Sequence, residues 1–155
     1  MSGTGHYRDV MEDKPLLVED ALKPAQYRVY PDTPLAEVVD LMVRREVRAV
    51  PVVGEQYEVL GIITSGDALD RVLRERPDAP RREELLARDV MTRAVLCVSE
   101  DQPLVEAANT MVNRDVEQLP VVRDGEFIGF VTRDTILRTL HEGVTPPNRE
   151  EESDS

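Results

Sequence analysis

An internal repeat constrains this 155-residue sequence more than any other feature. Displacing the chain by 69 residues places Pro34 on Pro103 and Pro51 on Pro120. Over residues 34–53, ten of twenty positions are identical to their counterparts in 103–122. This identity without gaps indicates that both halves form the same supersecondary unit. A single core is marginal at about 55 residues per half, so we expect the two units to pack together with pseudo-twofold symmetry.

The pattern within each repeat predicts a β-α-β-β-α order and therefore an α/β (α+β) fold. Short apolar runs at 25–30 and 94–98 predict the first strand of each repeat. Thr33 is typical of a helix N-cap, with Pro34 at the first helical position. The predicted helix then places apolar residues on one face in each repeat. These residues are Leu35, Val38, Val39 and Met42 in repeat 1 and Leu104, Ala107, Ala108 and Met111 in repeat 2.

Two strands and a second helix complete each repeat. Buried strands are predicted at 50–53 and 119–122, and their partners at 59–63 and 127–131. The Asp124-Gly125 pair predicts a tight hairpin between the two strands of repeat 2. Helices are predicted to follow at 67–74 and 135–140.

These elements divide the chain into five segments. We predict a flexible N-terminal segment at 1–17, repeat 1 at 18–73, a linker at 74–86 and repeat 2 at 87–140. Residues 141–155 are predicted to be a disordered acidic tail, because they contain too little apolar surface to fold.

Charge and cysteine content narrow the classes of partner. The chain has 19 basic and 31 acidic residues, a net charge of −12, which disfavours nucleic acid and anionic membrane surfaces as partners. Cys97 is the only cysteine, so no intramolecular disulfide can form. No apolar run is long enough to span a bilayer. These features predict a soluble cytoplasmic protein.

Catalytic chemistry is not indicated by any motif. The sequence has no evident nucleophile with a base, no metal-ligand spacing and no phosphate-cradling glycine loop. We therefore predict a protein that is not an enzyme, has no metal site and requires no cofactor. Cys97 is interpreted as a buried packing thiol in a strand.

The ordered set of motifs resembles a tandem pair of cystathionine-β-synthase-type (CBS) domains over about 18–140. The resemblance rests on Asp89-Val90-Met91-Thr92, on Thr33-Pro34-Leu35 and on the two Pro-Val-Val strands. It also rests on Gly61-Ile62-Ile63-Thr64-Ser65-Gly66-Asp67 and its counterpart Gly129-Phe130-Val131-Thr132. Such pairs bind adenine nucleotides in many regulatory proteins, so the resemblance implies a sensor module.

The resemblance also implies the residues of a ligand site. Thr64 and Asp67 match the family's Gly-x-x-Thr-x-x-Asp stretch, in which the carboxylate holds the ribose. The base would contact Arg93, Ala94 and Val95, with Gln118 and Glu117 completing the cleft. Because Glu117 is unfavourable beside a phosphate, this cleft is expected to prefer a nucleoside or a zwitterionic adenosyl compound, or to remain empty.

A second, weaker cleft is implied by the same comparison. It would contain Ala25, Gln26, Arg48, Thr132 and Thr135. The position that matches Asp67 is Thr135, which cannot offer a carboxylate. We therefore expect at most one well-formed nucleotide site per chain.

Each of these motifs also has a purely structural interpretation. Thr64 and Asp67 have the spacing of a capping box, which requires no ligand. Arg44, Arg45 and Arg48 near a helix end are typical of charges that compensate the helix dipole.

Two functions therefore remain open. The first is a regulatory sensor of AMP, ADP, ATP or S-adenosylmethionine, acting as a homodimer on an unidentified effector protein. The second is an interaction or dimerisation module with vestigial clefts.

Overall fold

The fold is that of a computed structural model, which describes residues 15–74, 84–93 and 95–144. The predicted flexibility of 1–17 falls mostly outside these residues, as do most of the predicted linker and acidic tail. Packing divides the chain into two compact units. The repeat-1 unit contains Ala25–Cys97 and Val122–Gly129. The repeat-2 unit contains the described parts of Met1–Pro24 and Phe130–Ser155, together with Val98–Val121.

Helices and strands are interspersed along the chain, which confirms a mixed α+β fold. The α-helices are α1 (Leu35–Arg45), α2 (Ser65–Leu73), α3 (Ala87–Val90), α4 (Leu104–Arg114) and α5 (Arg133–Val144). The strands are β1 (Lys23–Pro24), β2 (Ala49–Val53), β3 (Val59–Thr64), β4 (Val98–Ser99), β5 (Gln118–Arg123) and β6 (Glu126–Thr132). A short 3₁₀ helix spans Val18–Ala21.

The predicted apolar faces of α1 and α4 are confirmed. Leu35, Val38 and Met42 are buried on α1, and Leu104 and Met111 are buried on α4. In the repeat-1 unit this stripe packs with the β2 and β3 side chains into one aliphatic core. The repeat-2 unit buries the equivalent set of residues, which includes Ala107, Leu119, Val121, Val131 and Ile136.

The start of α1 differs from the prediction. Pro34 is itself the N-cap, with ψ of 142°, and its carbonyl accepts a hydrogen bond from the Val38 N–H. The Thr33 hydroxyl instead accepts from the Tyr30 N–H at 2.9 Å, which closes the preceding turn. The prediction of Thr33 as N-cap is therefore wrong, because the local turn uses its side chain first.

The two central strands of each repeat are confirmed. β2 pairs antiparallel with β3, and β5 and β6 are neighbours in a four-stranded sheet ordered β1-β6-β5-β4. Asp124 and Gly125 both have positive φ, 53° and 83°, as the predicted two-residue hairpin requires.

The predicted first strands at 25–30 and 94–98 are mostly wrong. In repeat 1 only Val29 joins a sheet, through a parallel bridge to Val52, and in repeat 2 the strand is limited to β4. Val29 and Val98 are the fully buried residues of these runs. The side chains of Gln26, Arg28 and Tyr30 in the first run and of Leu96 in the second are exposed.

A lead segment precedes each repeat and packs on the other one. The Leu16 carbonyl accepts from the Leu104 N–H at 2.9 Å, while the Leu85 carbonyl accepts from the Leu35 N–H at 2.8 Å. The Val18 N–H likewise donates to the Gln102 carbonyl. We call 16–21 and 85–90 the lead segments. Each unit is thus completed by residues that the repeat boundaries assign to the other repeat, and those boundaries remain a prediction.

Candidate functional site

The strongest candidate site lies where β3 becomes α2. Thr64 ends β3 and is the N-cap of α2, with its backbone still extended at ψ of 163°. The Asp67 N–H donates to the Thr64 hydroxyl at 3.1 Å, and the Thr64 N–H donates to Asp67 Oδ2 at 3.1 Å. These reciprocal bonds confirm the capping box predicted from the spacing.

The Asp67 carboxylate retains one unused oxygen. Among the described residues only Oδ2 has a hydrogen-bond partner, and Oδ1 has none. The side chain is half-buried, whereas Ser65 and Gly66 beside it are exposed. A Cβ built on Gly66 would find only the Thr64 hydroxyl oxygen within contact range, at 3.7 Å. The helix start is therefore open, with an acceptor oxygen available to a hydroxyl-bearing ligand.

Arg48 is tied by its backbone to this same helix start. The Ser65 N–H donates to the Arg48 carbonyl at 2.7 Å, so the chain that enters β2 runs beside the beginning of α2. The Arg48 side chain is exposed. Its predicted role in the second cleft remains a prediction.

Arg93 and Val95 follow Thr92, which pairs with Ile62 of β3. Thr92 and Ile62 exchange backbone hydrogen bonds of 2.8 and 3.0 Å. Gly61 permits this approach, because a Cβ there would lie 2.6 Å from Met91 Sδ and 2.8 Å from the Thr92 carbonyl. The bridge is antiparallel, so the chain beyond Thr92 runs toward the beginning of β3 and away from Thr64.

No hydrogen bond between described residues joins this segment to Thr64 or Asp67. The Arg93 guanidinium donates to the Arg88 carbonyl at 3.3 Å. Val95 is half-buried, and its carbonyl accepts from the Cys97 thiol at 3.9 Å. Ala94, the third predicted base contact, lies outside the described residues. The base-binding role of all three remains a prediction.

The equivalent helix start in repeat 2 is closed by hydroxyl groups. The Thr135 N–H donates to the Thr132 hydroxyl at 3.1 Å, and the Thr132 N–H donates to the Thr135 hydroxyl at 3.0 Å. The Thr135 hydroxyl also donates to the Thr132 carbonyl at 3.2 Å. Asp134, one residue earlier, is exposed. This helix start offers no spare carboxylate at the position of Asp67.

Glu117 and Gln118 lie in the repeat-2 unit near that second helix start. The Glu117 carbonyl accepts from the Arg133 N–H at 3.3 Å, which repeats the link between Arg48 and Ser65. The Glu117 side chain is exposed, and Gln118 is half-buried as the first residue of β5. Their predicted ligand contacts stay untested.

The other two residues of the predicted second cleft, Ala25 and Gln26, lie in the repeat-1 unit. The Ala25 N–H donates to the Ile128 carbonyl at 2.9 Å. Gln26 lines a cavity of about 490 Å³ that extends along α1. No motif in the sequence indicates this cavity, since its lining combines two segments that are separate in the chain.

The predicted arginine cluster has ordinary surface partners. Arg44 pairs with Asp40 at 3.0 Å, one helical turn away, and Arg45 lies over the Tyr27 ring at 5.8 Å. Both side chains belong to the last turn of α1, as a dipole-compensating role requires.

Cys97 is half-buried and lies outside any strand, so the prediction of a buried strand thiol is wrong. Its neighbour Val98, rather than Cys97, turns into the core and begins β4. Desolvation by burial raises the pKa of the Cys97 thiol above its ordinary value.

Membrane spans and metal clusters are both absent from the part of the chain that the structure describes. No helix there is both long enough and apolar enough to cross a membrane. No group of three or more His, Cys, Asp or Glu side chains in 15–74, 84–93 and 95–144 is arranged to hold a metal ion.

Known proteins match the chain in sequence and in fold. An uncharacterized protein of Methanopyrus kandleri is 34% identical over 109 residues, which cover 70% of this chain and 54% of that protein. The chain therefore spans about half the length of this relative.

Two solved structures have similar folds. The CBS domain pair of protein MJ0100, in complex with 5′-methylthioadenosine and S-adenosyl-L-methionine, has a TM-score of 0.69 and 25% identity, covering 83% of this chain and 98% of that one. CBSX2 of Arabidopsis thaliana in complex with AMP has a TM-score of 0.69 and 25% identity, covering 81% and 97%.

The family model described as CBS domain matches residues 8–74 and 87–142. These two matches cover most of the chain and fall on the two repeats. The chain therefore belongs to the CBS-domain family and contains two copies of the domain.

Proposed function

We propose that this CBS pair is a regulatory sensor that binds one adenosyl ligand per chain at the start of α2. The observation that carries the proposal is that the two oxygens of the Asp67 carboxylate differ in their hydrogen bonding. Oδ2 completes the capping box, and Oδ1 has no partner among the described residues. A carboxylate oxygen held rigidly in this way is suited to accept hydrogen bonds from the ribose hydroxyls.

The ligand class is inferred from what related proteins bind. The MJ0100 pair was crystallised with methylthioadenosine and S-adenosylmethionine, and CBSX2 with AMP. The adenosyl group, adenine joined to the ribose ring, is the part that these three ligands share. We therefore propose AMP, ADP, ATP or S-adenosylmethionine as candidate ligands, with Thr64 and Asp67 binding the ribose side.

The base and the other groups of the ligand are assigned to residues outside the start of α2. We propose that Arg93, Ala94 and Val95 contact the base and that Gln118 completes the site. Glu117 is expected to disfavour a chain of several phosphates, because its carboxylate would repel them. Ala25, Gln26, Arg48, Thr132 and Thr135 form the second, weaker candidate site, which we expect to stay empty.

The response to a ligand is proposed to pass to an effector protein through a homodimer. In the repeat-1 unit α1 and α2 are in contact and expose Val43 and Leu73, which are 71% and 74% accessible. In the repeat-2 unit α4 and α5 expose Val112 and Leu137, which are 77% and 68% accessible. Exposed aliphatic side chains on paired helices favour association with another protein surface. The single thiol of the chain fits a reducing compartment, so we propose a cytoplasmic location.

One observation favours the second function, an interaction module without ligands. Both helix starts are fully capped by the protein itself, so neither needs a ligand to satisfy its N-cap bonds. This function predicts a folded protein that no adenine compound stabilises.

A thermal-shift series distinguishes the two functions. The purified chain is heated with AMP, ADP, ATP, adenosine or S-adenosylmethionine, and the Asp67→Ala and Asp67→Asn variants are treated identically. A ligand at a hundred times its Kd adds about 2.7 kcal/mol to the unfolding free energy, which is a shift of several degrees for a chain of this size. We expect a selective shift in the unsubstituted chain that is lost in both variants.

The two variants separate binding from folding. An asparagine in place of Asp67 keeps a side-chain oxygen for the Thr64 N–H but lacks the second acceptor, so Asp67→Asn removes binding without removing the cap. Thr135→Ala is the matched control, since it disturbs the equivalent cap in repeat 2 and should leave the ligand shift intact. A shift that persists in Asp67→Asn excludes Asp67 from the site, and no shift with any compound supports the interaction module.

A further inference from the structure

A groove of about 490 Å³ lies in the repeat-1 unit between residues 26–29 and helix α1. From α1 it is lined by Glu37, Asp40, Leu41, Arg44 and Arg45. Neither Thr64 nor Asp67 lines it. The groove is therefore a second surface feature of this unit, separate from the α2 start.

The wall formed by 26–28 lies outside any strand, and its backbone groups are unpaired among the described residues. Just before it the Ala25 N–H donates to Ile128, and just after it Val29 exchanges backbone bonds with Pro51 and Val53. Between these points, residues 26–28 form no backbone hydrogen bond with any described residue. An accessible segment with unpaired N–H and C=O groups can receive an added strand.

Two arginines at the groove are held by tyrosine rings. Arg45 lies 5.8 Å from the ring centre of Tyr27, and Arg28 lies 5.0 Å from that of Tyr57. Neither guanidinium has a carboxylate partner among the described residues. Stacking on a ring orients the guanidinium plane and leaves its N–H edge available for a carboxylate.

The position of Tyr57 is itself fixed by the backbone. Tyr57 has a φ of 63°, a left-handed conformation that is costly for a large side chain. Its N–H donates to the Gly54 carbonyl at 3.0 Å, and its carbonyl accepts from the Phe127 N–H at 2.8 Å. These two bonds hold the turn that presents the Tyr57 ring to Arg28.

The remaining charges limit what the groove accepts. Arg44 is already paired with Asp40 at 3.0 Å, and Glu37 adds a second carboxylate to the lining. A dense polyanion would bring many negative charges into a groove that already holds these two carboxylates, whereas one acidic side chain brings a single charge. The charge pattern favours an isolated carboxylate on a peptide over a polyphosphate.

Repeat 2 has the same fold but lacks most of the aromatic and charged side chains of the groove. The counterparts of Tyr27 and Arg28 are Leu96 and Cys97, and those of Asp40 and Arg44 are Asn109 and Asn113. The aromatic ring, the arginine and the ion pair are therefore not required by the architecture of the repeat. A feature present in one repeat only is more economically explained by binding than by folding.

We propose that this groove binds an extended peptide segment of a partner protein by strand addition to 26–28. An acidic side chain of the peptide contacts the guanidinium groups of Arg28 and Arg45, and Leu41 contacts an apolar side chain of the peptide. Three unpaired residues span roughly 10 Å, so the segment that pairs with them is about four to six residues long.

The test measures binding of labelled peptides to the full chain by fluorescence anisotropy. The probe is a fluorescein-labelled hexapeptide of valine and threonine with a single central glutamate. One comparison peptide has the same sequence with methyl groups on alternate backbone nitrogens, and a second replaces glutamate with lysine. We expect the first probe to bind and both comparison peptides to bind at least about tenfold more weakly, because one lacks strand donors and the other lacks carboxylates.

Substitutions on the protein test the same contacts. The Arg28→Ala, Arg45→Ala double variant should weaken binding of the glutamate-containing probe at least about tenfold. Arg114→Ala is the matched control, because Arg114 is the repeat-2 counterpart of Arg45, and it should leave the affinity unchanged. Arg45→Lys keeps the charge but not the planar donor pair. Its peptide affinity should therefore lie between those of the double variant and the Arg114→Ala control.

Three outcomes would overturn the proposal. Equal binding of the N-methylated peptide would exclude strand addition, and displacement by free glutamate or inorganic phosphate at similar concentration would indicate a small-anion site. Absence of binding up to millimolar peptide, with an unchanged thermal transition of the protein, would exclude a peptide groove. The thermal shift caused by adenosyl ligands is measured separately, with Asp67→Asn. Failure of the peptide proposal therefore leaves the adenosyl proposal untouched, and the reverse also holds.

Discussion

The starts of α2 and α5 share the same pattern of capping hydrogen bonds but differ in the side chain that completes it. Each begins with a threonine N-cap whose hydroxyl accepts from the N–H three residues later, at 3.1 Å in both cases. At that third residue α2 has the Asp67 carboxylate and α5 has the Thr135 hydroxyl. Both groups return a bond to the N–H of the cap residue, Thr64 or Thr132.

This difference separates what the fold needs from what a ligand would use. A hydroxyl is sufficient for the cap, because Thr135 closes it through one oxygen. A carboxylate closes the cap and still presents a second oxygen with negative charge. Asp67 therefore contributes more than the helix start requires, and the excess is the part available to a ligand.

The largest effect is expected when a carboxylate is introduced at the start of α5, because it should change the number of ligand sites. Thr135→Asp should keep the cap of α5 and add a spare oxygen, creating a second adenosyl site. Isothermal titration with the ligand identified by thermal shift should then give two sites per chain in place of one. Thr135→Asn, which keeps an acceptor without the charge, is the control. A stoichiometry that stays at one would show that the carboxylate alone does not make the site.

Removing each cap should have an intermediate effect. Thr64→Ala and Thr132→Ala each delete a hydroxyl that accepts from a helix N–H, so each should lower the unfolding free energy by about 1 kcal/mol. For a chain of this length that corresponds to a fall in Tm of roughly 2–4 °C, measurable by calorimetry. Ser65→Ala, at an exposed position in the same turn, should change little. A much larger loss at only one cap would contradict their structural equivalence.

The smallest effect concerns Cys97, which occupies the position of Arg28 in the other repeat. Burial raises the pKa of the Cys97 thiol, so at a given pH less of it is the reactive thiolate in the folded chain. Alkylation by iodoacetamide should be slower in the native than in the urea-unfolded protein, with its pH midpoint shifted upward. Equal rates in the two states would show that folding does not shield the Cys97 thiol.

Much of the fold follows from local patterns in the sequence. The apolar stripe of α1 and the Asp124-Gly125 turn are fixed by neighbouring residues, through helical spacing and the need for positive φ. The Thr64-Asp67 cap follows from spacing in the same way. Such features are predictable because the residues that determine them lie within one or two turns of the chain.

The features that sequence reasoning misses depend on distant residues or on competing local bonds. Composition predicts the first strands, but pairing there needs a partner strand, and only Val29 and Val98 find buried positions. The Thr33 hydroxyl accepts from the Tyr30 N–H in the turn before α1 and does not cap the helix, because a local bond to the backbone competes with capping. The groove beside 26–29 is not predictable, because it combines two segments that are unrelated by any motif.

The lead segments have a consequence for how such a chain can be divided. Each repeat leaves the N–H of its first helical leucine, Leu35 or Leu104, to be satisfied by a segment that precedes the other repeat. A fragment that contains one repeat and the lead segment preceding it would lack the lead segment that its own first helix binds. The lead segment that it does contain would have no helix of the other repeat to bind. Two copies of that fragment can each supply a lead segment to the first helix of the other copy. A single repeat is therefore expected to form a dimer by exchange of lead segments.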